Sequence, residues 1–410
     1  AFRVKRNKKK ILVSRGIYPG DQEVLETHFG GTENELEWVP LSAETGRLDL
    51  EQLRKQIEDQ ADQVAAVVYP QVNALGYVED FHGITTLCDS FDCLKIGVVD
   101  PVHLVEGGLL PPSQWGEEGT DFVVGEAQHL ALNPCFGGPG LGLFGVRTDA
   151  KRKNFVRHTP GRYVGKARDR SGRPCFVAVM SAREQHIRKD RATSNICSNQ
   201  AFIASLAGGA ILGNGNDGLK AKLAKACENA RKGMERLLKY EPFSLAFPDN
   251  AILNEVTFAY AGESLDGLLE QAAESGIEMG IEVSDRVDSG QRSLVKLSFH
   301  DREVDWGAID SFLSARFEAK SANGTAIVSP AEDQTRQDPL AIPDVEFDDL
   351  VAYYQHLGTL NASPDHGIYP LGSCTMKYNP ALNEWAAGLE GFQRIHPQAR
   401  LSSIQGNLEV

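Results

Sequence analysis

The sequence predicts an α/β protein built on a parallel sheet, followed by a smaller α+β unit. Three observations carry that reading. Short apolar runs alternate with helix-like segments over the first 150 residues. One run, Val64–Tyr69, is apolar without a break, as expected of a central strand covered on both faces. The apolar share, 41% of 410 residues, suffices for more than one core, and the length fits two or three domains of roughly 100–200 residues.

In chain order, Arg3, Lys5, Arg6, Lys8, Lys9 and Lys10 form a basic run, read as a solvated lead into the strand Ile11–Ser14. A helix over Asp21–Phe29 stops at Gly30-Gly31. Glu35–Val39 is a strand, and Leu50–Asp59 sets its leucines and isoleucine at helical spacing. After Val64–Tyr69 come a helix over Val78–Phe91 and strands at Leu94–Val99, Phe122–Val124 and Leu141–Val146. Strands alternating with helices imply a parallel sheet with right-handed crossovers. Ligands in such sheets bind at the carboxyl ends of the strands. The residues there are Gln71, Asn73, Asp100, His103, the run Gly125–His129 and the turn Phe136–Gly140. Gly137 and Gly138 read first as a simple chain reversal and second as a place of close backbone approach.

His158–Gly165 reads as a turn-rich loop and Asp169–Pro174 as an exposed tip. Arg183, Glu184, Gln185, His186, Arg188, Lys189, Arg191 and Asn195 make a dense polar segment. It flows into the nearly uncharged Ile196–Leu212, which predicts a buried helix and an inward-facing surface. Leu219–Tyr240 is an amphipathic helix. Strands at Phe243–Phe247, Ala251–Tyr260 and Leu294–Phe299, with helices over Leu265–Ala273 and Val304–Ala319, complete a smaller unit. Residues 321–344 are polar and proline-punctuated, which suits a linker. Val345–Leu357 reads as a helix. The divisions are therefore 1–195, 196–320, 321–344 and 345–410.

The formal net charge of -14 argues against nucleic-acid binding, which needs excess Lys and Arg. No apolar run approaches the ~20 residues of a membrane-spanning helix, and no secretory h-region is visible. The 7 cysteines show no disulfide framework and no zinc spacing, so reduced thiols in a cytoplasmic protein are expected.

The last loop is the most specific feature. Gly367–Pro380 holds two glycines and two prolines, and packs Ser373, Cys374, Thr375, Lys377, Tyr378 and Asn379 into adjacent positions. Such side chains commonly cap their own loop. The whole string, however, resembles the signature near the start of the second subunit of the two-subunit glycine dehydrogenase (decarboxylating), the P-protein of the glycine cleavage system. Val13-Ser-Arg with Pro19, Val99-Asp-Pro101, Gly125-Glu126 with Gln128, Phe136–Pro139, His158–Gly165, Ala182–Arg188 and Ala192–Cys197 look like its first subunit. Residues 1–320 thus resemble the later part of a first subunit, and 345–410 the opening of a second on the same chain, with both ends cut short. The glycine-rich phosphate-binding segment that precedes the first strand in the family is missing.

The resemblance implies the type I fold of pyridoxal 5'-phosphate (PLP) enzymes, whose small domain has the helix-and-strand order seen over 213–320. It implies decarboxylation of glycine and transfer of the aminomethyl group to the lipoyl arm of the H-protein, with PLP as the electron sink for the carbanion. Expected partners are glycine, a lipoylated H-protein and a second-subunit-like catalytic half, in a dimer of halves or a heterotetramer. Ser373, Cys374, Thr375, Lys377, Asn379, Arg183, Asn195, His158 and Arg162 are the candidate cofactor- and substrate-binding residues, because short polar side chains and Arg suit phosphate and carboxylate groups. His186 is the candidate proton shuttle, with a helix-capping or interface role equally open. Cys374 reads as an inert packed thiol before a redox-sensitive one.

One departure stands out. PLP enzymes need a lysine for the internal Schiff base. The family places it in a His-Lys pair before a glycine-rich turn, and no His-Lys pair occurs here. Gln128 stands about where that lysine would, and an amide cannot form an imine. The alternative reading is a non-catalytic structural and carrier-docking half. A third, another type I PLP enzyme such as a cysteine desulfurase, is poorly served by the Gly367–Pro380 loop.

Overall fold

The computed structural model describes residues 1–159, 163–179, 199–288, 290, 292–320, 327–360, 367 and 380–409. Its centre is a 6-stranded sheet in the order β2-β1-β3-β4-β5-β6. The strands are β1 (Lys10–Ser14), β2 (Glu35–Val39), β3 (Val64–Pro70), β4 (Leu94–Val99), β5 (Phe122–Glu126) and β6 (Gly142–Val146). β1 to β5 run parallel, as the apolar runs predict. β6 is antiparallel to β5. The link between them, 127–141, holds only short 3-10 turns. It lacks the crossover helix that a parallel return needs.

Helices α1 (Pro19–Gly30), α2 (Leu50–Asp59) and α3 (Phe81–Ser90) fill the crossovers. Asp49 caps α2 by accepting from Gln52 N, and Asp80 caps α3 by accepting from Gly83 N. That cap starts α3 at Phe81 and not at Val78, because Val78 is drawn into a bridge with Val72. One face of the sheet buries Leu12, Val67 and Tyr69 against Leu53, Ile57, Phe81 and Trp115. The other buries Ile11, Val13, Ala66, Val68 and Phe122. Trp115 is fully buried, stacked on Phe81 with ring centroids 5.0 Å apart.

The basic N-terminal run is not simply solvated. Lys5 pairs with Asp92, Lys9 with Glu33, and Lys10 with Glu35 and Glu37. Strands β7 (Tyr163–Arg168) and β8 (Pro174–Val179) form an antiparallel ribbon around the tip at Asp169. It presents Val164 and Phe176 at 70% and 71% exposure.

A 39-residue helix, α4 (Asn199–Leu237), joins the two helical segments read from the sequence and kinks at Gly215. Its first turns are not buried as expected. Ile203 and Ala207 face inward, while Phe202 and Leu206 are exposed. Its second half packs on a 4-stranded antiparallel sheet in the order β11-β12-β10-β9. These strands are β9 (Phe243–Leu245), β10 (Glu255–Tyr260), β11 (Ile281–Glu282) and β12 (Ser293–Ser298). Helices α5 (Leu265–Glu274) and α6 (Trp306–Ser314) bury Leu268, Leu269, Phe312 and Leu313 against Val256, Phe258, Leu294 and Val295.

Residues 327–342, expected as a linker, lie docked along the parallel-sheet unit. Gly107 N donates to Arg336 O and Arg336 N to Gly108 O, both at 2.9 Å. Leu340 and Ile342 pack with Val105, Leu219 and Leu223. Then follow α7 (Phe347–Thr359), α8 (Ala381–Ala387), α9 (Glu390–Gln393) and α10 (Gln405–Glu409). Tyr354 and Leu350 of α7 pack over Gly209 and Gly213 of α4. Among the described residues no helix is long and apolar enough to cross a membrane.

Candidate functional site

The parallel sheet brings the carboxyl ends of β3, β4 and β5 together, and with them the polar residues flagged in the sequence. Asp100 follows β4. Its Oδ1 accepts from Val102 N and from His129 Nε2, each at 2.8 Å. Burial works against its charge, but the His129 hydrogen bond, the nearby His103 and His129 charges and the Val102 amide outweigh it. The carboxyl is held at about 2. His129 is raised in turn, because Asp100 overrides its burial.

Glu126 ends β5. Its Oε1 accepts from Ala127 N at 3.0 Å, and from Gln128 N and Leu141 N at 2.7 Å. This carboxylate pins both sides of the 127–141 link. Gln128 is buried, and its Nε2 donates to Asn133 O at 2.9 Å and Pro134 O at 3.4 Å. His103, also buried, donates from Nε2 to Asn254 Oδ1 at 2.8 Å, and Asn254 Nδ2 donates to Phe299 O. Gln71 Nε2 donates to Leu110 O at 2.7 Å. Asn73 Nδ2 donates to Glu79 Oε1 at 2.7 Å and to Gly46 O.

A second polar group joins the two sheets. Glu255 on β10 accepts from Lys296 Nζ at 2.9 Å, from Tyr18 OH at 3.0 Å and from Ser298 Oγ. Burial opposes the Glu255 charge, yet Lys296 and Ser298 hold its carboxyl below the ordinary value. The sequence reading passed over this group and over Glu79. A lysine set between Val295 and Leu297 in a strand is the signal that could have pointed to it.

The turn after Gln128 runs through the left-handed region for three residues, with φ of 44° at Cys135, 61° at Phe136 and 92° at Gly137. A Cβ on Gly137 would stand 2.8 Å from Pro397 Cγ. Gly137 is thus both a reversal and a close approach.

Of the binding and catalytic candidates, His158 lies among the described residues. It ends the 3-10 turn Phe155–His158, which is anchored by Phe155 stacked on Phe122, the first residue of β5. Arg162, Arg183, His186, Asn195, Ser373, Cys374, Thr375, Lys377 and Asn379 lie outside the described residues.

The residues present do not fit a covalently held PLP. The position that the resemblance gives to the lysine is Gln128, whose amide is spent on two carbonyls. Asp100, the carboxylate at the β4 end, already holds His129. No lysine follows the carboxyl ends of β3, β4 or β5 before the chain turns away.

The architecture is that of type I PLP enzymes. A NifS-like protein from Rickettsia africae superposes with a TM-score of 0.50 at 13% identity, over 75% of this chain and 76% of that one. Sphingosine-1-phosphate lyase from Burkholderia pseudomallei gives 0.51 at 13%, over 76% and 63%. These likenesses show the fold alone. A crystal structure of glycine decarboxylase (P-protein) of the glycine cleavage system, in inhibitor-bound form, gives a TM-score of 0.65 at 27% identity, over 76% of this chain and 67% of that one.

Residues 1–290 match the glycine cleavage system P-protein family, and the chain belongs to it. The probable glycine dehydrogenase (decarboxylating) subunit 1 of Carboxydothermus hydrogenoformans is 39% identical over 235 residues, 57% of this chain and 50% of the relative. That of Moorella thermoacetica is 40% identical over 230 residues, 56% and 48%. The chain spans about half the length of these curated relatives. The first-subunit resemblance of the sequence therefore stands.

Proposed function

We propose that this chain is part of a PLP-dependent glycine decarboxylase that releases CO2 from glycine and passes the aminomethyl group to the lipoyl arm of the H-protein. Within it, the half built on the two sheets is the non-Schiff-base half, a structural and carrier-docking partner. The PLP lysine belongs to a second-subunit-like catalytic half. The observation that carries this division is Gln128 at the family's lysine position, with its amide satisfied by Asn133 O and Pro134 O. Membership of the P-protein family supports the reaction. Ser373, Cys374, Thr375, Lys377 and Asn379, with Arg183, His186, Asn195, His158 and Arg162, line the cleft shared with that catalytic half.

Two measurements test the reading. This chain is incubated with PLP, reduced with borohydride and mapped by mass spectrometry; no lysine is expected to carry a stoichiometric adduct. Glycine–CO2 exchange with lipoylated H-protein is then measured for this chain, for a catalytic second subunit and for the mixture. Exchange by the mixture above that of the second subunit supports the partner role. A specific adduct, or exchange by this chain alone, overturns the division.

A further inference from the structure

The segment that follows α9 touches both sheet units within a dozen residues. At one end it lands on the glycine-rich turn: Phe136 N donates to Ile395 O at 2.9 Å, and Asn133 Nδ2 donates to Gln393 Oε1 at 2.8 Å. Pro397 fills the space that a side chain on Gly137 would take. Arg302, from the loop after β12, donates to Asn133 Oδ1 and ties the antiparallel unit to the same point. At the other end Arg400 forks between two carboxylates one turn apart on α5. It donates to Asp266 Oδ1 at 2.6 Å and to Glu270 Oε2 at 3.0 Å. Ile395 and Ile404 are buried at 9% and 6% exposure.

We propose that residues 393–404 are a charge-latched strap. It docks on a surface made by the Asn133–Gly137 turn, Arg302 and the acidic edge of α5, and adds a releasable tie between the parallel-sheet unit and the antiparallel-sheet unit, which Leu75 and Tyr77 already join through the core around Phe247 and Val256. Its occupant is this chain's own segment, seated through both main-chain and side-chain bonds. The left-handed backbone at Cys135 and Phe136 has a role in this: it aims the Phe136 N–H out of the turn and at the strap.

The latch is built to release. Arg400 is 26% exposed, and its partners Asp266 and Glu270 are 78% and 42% exposed, so the pairs are weak and screened by salt. At the latch the strap is undercut by an open cavity of about 470 Å³, lined by Glu270, Glu278, Glu282 and Arg400 together with Leu269 and Ile281. Leu401, next to Arg400, is 69% exposed and gives the ion pairs little apolar cover. Loss of the latch frees the strap without unfolding either core.

Hydrogen exchange on the full chain tests this, with peptides covering 133–138 and 393–404 as reporters. Arg400→Glu is expected to speed exchange in both by about tenfold, with peptides from β3 and β4 unchanged. Combining it with Asp266→Arg and Glu270→Arg is expected to restore protection. On the unaltered chain, raising NaCl to about 1 M, where the Debye length falls to about 3 Å, is expected to speed the same two peptides together. Protection of 133–138 that ignores both Arg400→Glu and salt overturns the proposal. So does a charge swap that fails to restore it.

Discussion

Glu79 gives a pH signature that can be worked from the structure. It is 1% exposed and accepts from Asn73 Nδ2 at 2.7 Å and from Leu48 N at 2.9 Å. Burial pushes its carboxyl up from 4.5 to about 7, and these hydrogen bonds only partly offset the push. The folded state therefore holds the proton more tightly than the unfolded chain. Below pH 4.5 both states are protonated and Glu79 adds no pH dependence. As the pH rises towards about 7, the unfolded carboxyl ionises freely while the folded one resists, so stability falls. At about 1.4 kcal/mol per pH unit, the gap amounts to a cost of about 3 kcal/mol above pH 7. Glu79→Gln mimics the protonated acid and keeps one acceptor for Asn73 and Leu48. Urea unfolding followed by circular dichroism, from about pH 5 to about pH 8, measures the difference. The variant is expected to gain on the parent from about pH 5 to about pH 7 and to level off above that. A difference that stays flat within ~0.5 kcal/mol refutes the assignment of the proton to this site.

Two further predictions concern the cleft. Lys296→Met leaves Glu255 buried with only hydroxyl partners and is expected to lower stability by about 3–5 kcal/mol; Lys296→Met with Glu255→Leu is expected to recover most of it, both read from urea midpoints. Gln128→Lys is expected to give no PLP adduct at 128 after borohydride reduction, because an ammonium there meets the same two carbonyls, Asn133 O and Pro134 O, that now hold the amide.

The parallel strands were legible because a strand covered on both faces has to be apolar throughout, as Val64–Pro70 is. The starts of α2 at Leu50 and α5 at Leu265 were legible, where Asp49 and Ser264 satisfy a free amide locally, whereas α3 and α6 start later than read, at Phe81 and Trp306, behind the caps Asp80 and Asp305. The direction of β6 was not, since Gly142–Val146 reads the same either way and the short link decides it. The β7–β8 ribbon was hidden because neither face is buried enough to impose alternation. Docking of 327–342 depends on main-chain bonds to Gly107, Gly108 and Leu110, which composition does not reveal. In the site, Asp100, His103, Gln128 and His129 were found by position alone, at strand carboxyl ends. Glu79 and Glu255 escaped because their partners, Leu48 and Lys296, lie 31 and 41 residues away.

The pairing within the cleft has a common logic. A site that receives a ligand keeps donors and acceptors aimed at the space where the ligand sits. Here the side chains in those places are turned on one another and on the main chain. Asp100 takes His129, Glu126 takes three amides, Gln128 takes two carbonyls, and His103 takes Asn254. For the buried Gln128 and His103 these bonds remove the desolvation cost that an unmatched buried polar group carries, about 1–3 kcal/mol apiece. Gln128 and His103, both buried, are thus satisfied by this chain's own groups. Such internal pairing also fixes the 127–141 link rigidly, and that link presents the Asn133–Gly137 surface on which the strap lands. The bonds that satisfy Gln128 therefore also shape the turn that carries Gly137.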